Sequence, residues 1–288
     1  SSDLMEKVLS DAEFDAYVAD FKRAKDHLDS SRPTAVNLSW ALNRMEAKLL
    51  LLKGHSMSAI LAHLKAESLA IRQEDEDTNR AIGEYALSLL APGMGLLTHC
   101  NAGVLATTRY GTATATMYLG HERDYGFRIY CDETRPLLQG ARLTAWELSR
   151  AGMDVTLLCD NMAPSLMREG KIDAVFVGCD RVAANGDTAN KVGTSYVALA
   201  AKRFGIPFYV CAPSSTIDMS TPTGGDIVIE QRDPSEVTEQ WYSHRMAPEG
   251  IKVYNPAFDV TPASDIAAII TEKGICRAPY GESLSAIF

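Results

Sequence analysis

The spacing of apolar residues along the chain changes near residue 90. Before it, apolar side chains recur mostly at intervals of three to five among charged ones, first from Leu4 to Phe21 and again from Leu38 to Leu52. This period is typical of amphipathic helices. A third stretch of the same kind covers Ser56 to Leu90, and its acidic run at residues 74–77 is expected on a solvated helix face. A mainly helical domain is therefore predicted over residues 1–91.

From Pro92 onward, short apolar runs alternate with amphipathic stretches. The runs, each interpreted as a strand, are Leu96–Cys100, Phe127–Cys131, Val155–Cys159, Ala174–Val177 and Pro207–Cys211. Helices are predicted at about 103–121, 139–151, 162–169 and 189–204, and a last one over Ser264 to Lys273. Alternation of this kind indicates βαβ units and a parallel sheet. The predicted fold class is α/β, with a Rossmann-like parallel-sheet domain over residues 92–288 preceded by the mainly helical domain.

Polar residues follow the carboxyl ends of these strands, the edge where ligands bind in parallel α/β sheets. Cys100 lies there beside a glycine turn and a predicted helix start, a position that lowers a thiol pKa. Simple burial of a small side chain is the alternative for most of the cysteines. His99 should point to the opposite face, so it is not paired with Cys100 as a base. Asp180, at a strand end, is a better candidate acid than Asp187, which suits a turn or a helix cap.

Two further segments are candidates for binding an anion. Gly186-x-x-x-Asn190-Lys191 lacks the second glycine and the Ser/Thr of a Walker A loop, so a nucleotide P-loop is not expected. An Asn-Lys pair at a helix N-terminus can still hold one phosphate through amides, the helix dipole and an ammonium group. Gln139, in a segment rich in charged residues, is a candidate for binding a sugar hydroxyl or a phosphate oxygen. Pairing among those charged residues is the alternative for that segment.

Composition narrows the function classes. The formal net charge is -9 and the pI is near 5.2, which argues against binding nucleic acid or an anionic membrane. No apolar run approaches the roughly 20 residues that a membrane helix needs, and the start of the chain is not a signal peptide. The six cysteines include no C-x-x-C pair, so no structural zinc site is predicted, and without a secretory signal a cytoplasmic protein with reduced thiols is expected. The absence of a G-x-G-x-x-G motif after the first strand disfavours a nicotinamide cofactor.

Taken together, these motifs resemble the 5-methylthioribose-1-phosphate isomerases. The resemblance runs from about Arg32 to Pro279, and no single motif in it would be specific. It is carried by Thr98–Gly103, Asp132–Ala145, Asp180–Asp187, Asn190–Thr194, Gly205–Thr216 and Asn255–Pro262.

The resemblance implies a function and a set of site residues. It implies a homodimer that acts on a sugar 1-phosphate in methionine salvage. Because no metal cluster is evident in the sequence, the enzyme is expected to need neither a metal nor a cofactor. The family also carries an Arg-Gly-Ala-Pro phosphate loop upstream of the position of Ser1, so the helical domain is expected to be shortened at its start. The implied catalytic pair is Cys100 and Asp180, and the implied substrate contacts are Arg32, Gln139, Asn190 and Lys191.

The reaction expected from this resemblance converts an aldose 1-phosphate to a ketose 1-phosphate. Asp180 would protonate the ring oxygen, and Cys100 would assist the transfer of hydrogen from C2 to C1, as a proton or as a hydride. A 5-deoxyribose-1-phosphate isomerase and a ribose-1,5-bisphosphate isomerase are the alternatives within the same chemistry. The acidic chain shows no second anion loop, which favours an apolar pocket for the 5-substituent. A non-catalytic regulatory subunit of a translation-initiation exchange factor is the alternative from another class.

Overall fold

A computed structural model of the chain describes residues 6–31 and 36–288. The chain forms two compact units, Ser1–Asp75 and Glu76–Phe288. The domain boundary expected at residue 91 stays a prediction. Arg32, an implied substrate contact, lies outside the described residues.

The first unit is helical. It contains α1 (Asp11–Asp29), α2 (Val36–Leu50) and the first part of α3 (Met57–Leu87). Helix α1 begins with a capping box, in which the Ser10 hydroxyl accepts from the Glu13 amide and the Glu13 carboxylate accepts from the Ser10 amide. The apolar core of this unit consists of Phe14, Leu49, Leu52, Ile60 and Leu64. The helical pattern predicted for this region is confirmed.

The second unit is built on a seven-stranded sheet with a smaller four-stranded sheet beside it. In chain order the strands are β1 (Gly95–Thr98), β2 (Arg128–Asp132), β3 (Asp154–Leu158), β4 (Ala174–Val177), β5 (Arg181–Ala183), β6 (Thr188–Lys191), β7 (Phe208–Cys211), β8 (Ile217–Asp218), β9 (Phe258–Thr261), β10 (Ala268–Thr271) and β11 (Gly274–Cys276). All five predicted strands are present, and the predicted α/β class is confirmed.

The large sheet has the strand order β11-β10-β7-β4-β1-β2-β3. All neighbours pair in parallel except β10 and β11. With β11 set aside, the parallel strands follow the order of a doubly wound Rossmann fold. Alternate residues of β4 enter different cores, with Val175 and Val177 on one face and Ala174 and Phe176 on the other. The central strands are therefore buried on both sides, as parallel strands require.

Most of the predicted helices of this unit are present. The helices are α4 (Ala115–Glu122), α5 (Ala145–Arg150), α6 (Ala163–Arg168), α7 (Thr194–Phe204), α8 (Ser235–Thr238) and α9 (Tyr280–Ser285). The stretch predicted at 103–121 is helical only in part, since it contains a short 3-10 turn and then α4. The helix predicted over Ser264 to Lys273 is wrong. Residues Ala268–Thr271 of this segment form strand β10, whose side chains are buried on both faces. The apolar residues of such a run show no periodicity that separates a strand from a helix.

The smaller sheet has the order β8-β5-β6-β9. Its strands β5 and β6 form an antiparallel hairpin directly after β4, in the stretch that was expected to lead into a helix. The hairpin turn places Gly186 at φ +90, and a Cβ there would lie 2.6 Å from the ring of Tyr280. The hairpin positions residues 178–191 over the carboxyl end of the large sheet.

Candidate active site

The strand order creates a crevice between β1 and β4. From β1 the chain continues to β2 and β3 on one side, and it then returns to β4 on the other side. Outside the carboxyl ends of two such strands lies the topological switch point, where doubly wound folds bind ligands. Cys100 follows β1 and Asp180 follows β4. The topology therefore brings both predicted catalytic residues to one crevice, although they are far apart in the sequence.

The loops that carry these two residues touch each other. A Cβ added at Gly178 would lie 2.6 Å from the Cβ of Ala102 and 3.3 Å from Oγ1 of Thr112. Real Cβ contacts are longer than the first of these distances, so any side chain at position 178 would push the loops apart. Gly178 therefore sets the close approach of the Cys100 loop to the Asp180 loop.

The backbone of Cys100 is held in a conformation that residues other than glycine seldom adopt. Its φ is +67, in the left-handed region. Such a residue costs on the order of 1–3 kcal/mol and persists only where its surroundings hold it. Here the Cys100 amide donates to Oγ1 of Thr134 at 2.8 Å, and its carbonyl accepts from Oγ1 of Thr144 at 2.6 Å. The two threonines thus fix the backbone that carries a half-buried thiol.

Asp180 lies between β4 and the hairpin and is half-buried. Its amide donates to the carbonyl of Ala189 at 2.9 Å, which attaches the loop to β6. The thiol of Cys179, the residue before Asp180, is not a candidate catalytic group. It lies 3.3 Å from Oγ1 of Thr216, and burial raises the pKa of Cys179 to about 12. A thiol with so high a pKa is a poor nucleophile and a poor base near neutral pH.

Asp187, the second candidate acid, is engaged by the protein itself. Its carboxylate accepts from the Ala263 amide at 2.8 Å, from the Gly224 amide at 3.0 Å and from Nδ2 of Asn185 at 2.8 Å. Burial would raise the pKa of Asp187, but these hydrogen bonds outweigh burial and lower the pKa below its ordinary value. A carboxylate held ionised in this way is not a proton donor at neutral pH, which matches the turn role predicted for it.

Gln139 directly precedes the π-helical turn Gly140–Thr144. Its Oε1 is buried, and it has no hydrogen-bond partner among the described residues. A buried carbonyl oxygen without a partner costs about 1–3 kcal/mol. A hydroxyl group of a bound ligand could satisfy this oxygen, so the position is consistent with the predicted substrate contact.

Asn190 and Lys191 end strand β6 rather than beginning a helix. Nδ2 of Asn190 donates to Oγ1 of Thr194 at 3.0 Å, and this side chain is buried. The Lys191 ammonium lies 4.6 Å from the centroid of the Phe258 ring. Asn190 and Lys191 thus lie shortly before α7, and the ammonium group of Lys191 packs against an aromatic face.

The N-terminus of α7 is occupied by a carboxylate of the protein. Asp259 accepts from the amide of Gly193 at 2.7 Å and from the amide of Ser195 at 3.1 Å. The hydroxyl of Ser195 donates to it as well, at 2.8 Å. These amides were predicted to help hold a phosphate, but they already have an anionic partner. A phosphate grip at this place therefore depends on Asn190 and Lys191 themselves.

Sequence reasoning missed a buried pair beneath the crevice, His99 and Asp132. Nδ1 of His99 lies 3.1 Å from Oδ2 of Asp132, and Nε2 lies 2.9 Å from the carbonyl oxygen of Val192. Burial alone would lower the pKa of His99, but its hydrogen bond to Asp132 and the charge of that carboxylate outweigh burial and raise the pKa. The signal in the sequence was that both residues lie at the carboxyl ends of predicted strands.

Two features of the described part of the chain bear on ligands and membranes. A cavity of about 460 Å³ lies at the opposite end of the sheet, near the amino ends of β2 and β3, and is lined by residues such as Phe127 and Met153. It does not touch the crevice. Among the described helices, none combines the length and the apolar character needed to cross a bilayer.

Comparison with known proteins gives consistent results. Residues 3–278 match the Initiation factor 2 subunit family. A methylthioribose-1-phosphate isomerase from Symbiobacterium thermophilum is 67% identical over 277 residues, covering 96% of this chain and 77% of that protein. A 5-deoxyribose 1-phosphate isomerase from Petrotoga mobilis is 58% identical over 269 residues, covering 93% of this chain and 77% of that protein.

A solved structure has the same fold. The crystal structure of 5-methylthioribose 1-phosphate isomerase from Pyrococcus horikoshii OT3 is 42% identical, with a TM-score of 0.89. The alignment covers 96% of this chain and 76% of that one. The resemblance predicted from the motifs is confirmed. The chain belongs to the Initiation factor 2 subunit family and, within it, to the group of the methylthioribose-1-phosphate isomerases.

Proposed function

We propose that this protein is an aldose–ketose isomerase that converts 5-methylthioribose 1-phosphate to 5-methylthioribulose 1-phosphate. The observation that carries the proposal is the position of Cys100 and Asp180 at the topological switch point, in two loops that touch. The names of the similar isomerases support the substrate class. A place in methionine salvage, a cytoplasmic location and a homodimeric state belong to the same proposal.

Asp180 is the acid that opens the sugar ring. The anomeric oxygen carries the phosphate, so the ring cannot open by loss of a hydroxyl proton. Asp180 donates a proton to the ring oxygen while the bond between C1 and that oxygen breaks, and the positive charge left at C1 is shared with the phosphate-bearing oxygen. Positioned acids of this kind contribute about 10²–10⁴-fold to a rate. The resulting Asp180 carboxylate then accepts the proton of the C2 hydroxyl as the ketone forms, so the reaction has no net proton change.

Cys100 assists the movement of hydrogen from C2 to C1. In the proton route its thiolate removes the proton from C2, an enol forms, and the resulting thiol, whose proton can exchange with solvent, protonates C1. In the hydride route the hydrogen migrates with its electron pair, and Cys100 stabilises the charge beside it. The clamped backbone of Cys100 supports either role, because it holds the thiol in one place.

The remaining site residues hold the substrate. Oε1 of Gln139 accepts a hydrogen bond from a sugar hydroxyl, which gives this buried oxygen a partner. Asn190 and the ammonium of Lys191 bind the phosphate. Arg32, which lies outside the described residues, is proposed as a further contact on the strength of its sequence motif alone.

The test is turnover by Cys100→Ser and Asp180→Asn variants. Each is expected to lose turnover while keeping its fold and its affinity for a sugar phosphate. Cys179→Ser is the matched control, because it alters the thiol next to Asp180 that the reaction does not use. Near-normal turnover by Cys100→Ser or Asp180→Asn would refute the assignment. Solvent deuterium at C1 of the product would identify the proton route.

A 5-deoxyribose-1-phosphate isomerase is the second candidate function, because the Petrotoga mobilis relative bears that name at 58% identity. The two substrates differ only in the 5-substituent. A panel of ribose 1-phosphates carrying 5-methylthio, 5-deoxy and 5-phospho groups separates them by kcat/KM. Preference for the 5-phospho compound would favour a bisphosphate isomerase. Absence of turnover with all three would favour a binding subunit, the role suggested by the name of the family.

A further inference from the structure

His99 and Asp132 form a pair that is almost completely buried beneath the crevice. The exposed fraction of the side chain is 1% for His99 and 0% for Asp132. His99 follows β1 and Asp132 ends β2, so the pair joins two neighbouring strands at their carboxyl ends. Burying such groups is costly unless they are well paired, and replacement by apolar residues is often tolerated. The proposed reaction uses neither side chain, so their presence requires another explanation.

The imidazole of His99 also reaches the segment that carries Lys191. Its Nε2 lies 2.9 Å from the carbonyl oxygen of Val192, the residue directly after Lys191. Its ring packs against Gly193, where an added Cβ would lie 2.8 Å from Cε1 of the ring. His99 itself directly precedes Cys100. One side chain therefore connects the backbone beside the thiol with the backbone beside the ammonium group.

The direction of each hydrogen bond follows from the partners. The carbonyl of Val192 can only accept, so Nε2 of His99 must carry a hydrogen. Nδ1 shares one proton with Asp132, and the contact is complete whether that proton resides on the imidazole or on the carboxyl group. The link from His99 to Val192 therefore does not require a charge on Asp132.

A cation held by His99, Asp132 and Asp160 is the competing interpretation of this cluster. One donor atom of each lies within 4.8 Å of the others. However, the two oxygens of Asp160 accept from the amides of Thr134 and Arg135, each at 2.7 Å. Nε2 of His99 is turned towards Val192. Most of the polar atoms that a cation would need are thus hydrogen-bonded within the protein, which favours a positioning role.

We propose that His99, supported by Asp132, is a positioning residue that fixes the Lys191 segment relative to the Cys100 loop through its hydrogen bond to Val192. This inference rests on the proposed function where turnover is measured. It predicts that the bond from Nε2 matters more for substrate binding than the bond from Nδ1 does.

Two substitutions of His99 separate the two bonds. The side-chain amide of glutamine reaches about as far as Nε2, so His99→Gln can keep the donor to Val192. The amide of asparagine reaches only as far as Nδ1, so His99→Asn can keep the contact with Asp132 and loses Val192. His99→Asn should raise KM by about tenfold, close to the loss of one hydrogen bond, and His99→Gln by clearly less. Equal KM values for the two variants would overturn the proposal.

A second measurement does not depend on turnover. Hydrogen–deuterium exchange of the peptide that covers residues 188–196 should be faster in His99→Asn than in His99→Gln, because only the former releases Val192. If the wild-type protein turns over no sugar 1-phosphate, the proposed function fails and this exchange difference alone decides the inference. Equal exchange in the two variants would then count against it.

The Asp132→Asn variant provides a separate test in case the His99 variants do not fold. This change keeps the shape, and its amide can donate to Nδ1 of a neutral His99 whose Nε2 still donates to Val192. KM within about threefold of the wild-type value is expected, and a tenfold rise would refute the positioning role. Tyr280→Phe is the control for stability alone, since it removes a buried hydrogen bond to Ile266, 2.7 Å long, elsewhere in the unit. It should lower Tm without changing KM.

Discussion

Replacing Asp180 and Asp187 separately by asparagine should give opposite results, although the two acids are only seven positions apart in one hairpin stretch. Asp187 accepts three hydrogen bonds from the protein, two of them from the backbone amides of Gly224 and Ala263. Asn keeps one carbonyl oxygen but turns an NH₂ group towards a donor. We therefore expect Asp187→Asn to affect stability and Asp180→Asn to affect turnover.

The size of each effect follows from these contacts. Hydrogen bonds to charged groups contribute about 1.5–3 kcal/mol, and an amide left without its acceptor loses a similar amount. For Asp187→Asn we expect the free energy of unfolding to fall by about 2 kcal/mol. One hydrogen bond becomes a contact between two donors, and the remaining hydrogen bonds no longer go to a charged acceptor. In a domain of this size, that fall in free energy lowers Tm by about 4–8 °C. Asp180→Asn should leave Tm within about 2 °C and lower kcat by about 10²–10⁴-fold.

The assay combines thermal unfolding with kcat normalised to the folded fraction. Each variant is the control for the other, because both make the same chemical change in the same hairpin region. If the Asp187→Asn variant lost turnover while fully folded, the assignment of Asp187 to a structural role would be refuted. If Asp180→Asn lost stability and kept turnover, the acid would have been assigned to the wrong residue.

The remaining predictions concern the loop contact, acid stability and the thiols. Gly178→Ala should lower kcat at least about tenfold, because the added Cβ would lie 2.6 Å from the Cβ of Ala102. Gly225→Ala is the control and should keep kcat unchanged, because no described side chain beyond its chain neighbours would lie nearer than 3.6 Å to its Cβ. Steady-state kinetics measures kcat for both variants. The pKa of Asp187 is lowered in the folded protein, so its contribution to stability is present above the ordinary carboxyl pKa of about 3.9 and is lost as the pH falls through the folded-state pKa. Urea unfolding from pH 7 to pH 3 should therefore show the difference between wild type and Asp187→Asn shrinking at the acid end. Burial raises the pKa of Cys131 to about 12 and also raises that of Cys211, so alkylation at pH 8 followed by peptide mass spectrometry should spare both while it labels the exposed Cys159.

The sequence predicted what depends on local pattern. The five central strands and the α/β class follow from short apolar runs separated by amphipathic stretches, and Cys100 and Asp180 were identified because each follows such a run. The helix predicted over Ser264 to Lys273 failed for the same kind of reason. A run that is buried on both faces, as in β10, has no alternation, and its apolar residues fit a helix equally well.

What could not be predicted depends on contacts between distant parts of the chain. Asp259 caps α7 from 64 positions away along the sequence, so the phosphate site expected at that N-terminus was already occupied by a carboxylate. The link from His99 to Val192 spans 93 positions. A local sequence pattern also does not predict the strand order that brings β4 back beside β1, because this order depends on which edges of the sheet are free to pair.

Hydrogen-bond satisfaction separates the structural acids of this crevice from the groups left for a ligand. Four carboxylates, those of Glu147, Asp160, Asp187 and Asp259, each accept two backbone amides and thereby stabilise a loop or a helix end. In contrast, the buried Oε1 of Gln139 has no partner within the described chain, and the Lys191 ammonium rests on an aromatic ring. An acceptor for a hydroxyl and a cation for a phosphate are the two groups that a sugar phosphate would complete. The protein thus uses these carboxylates for its own backbone and leaves an acceptor and a cation for a ligand.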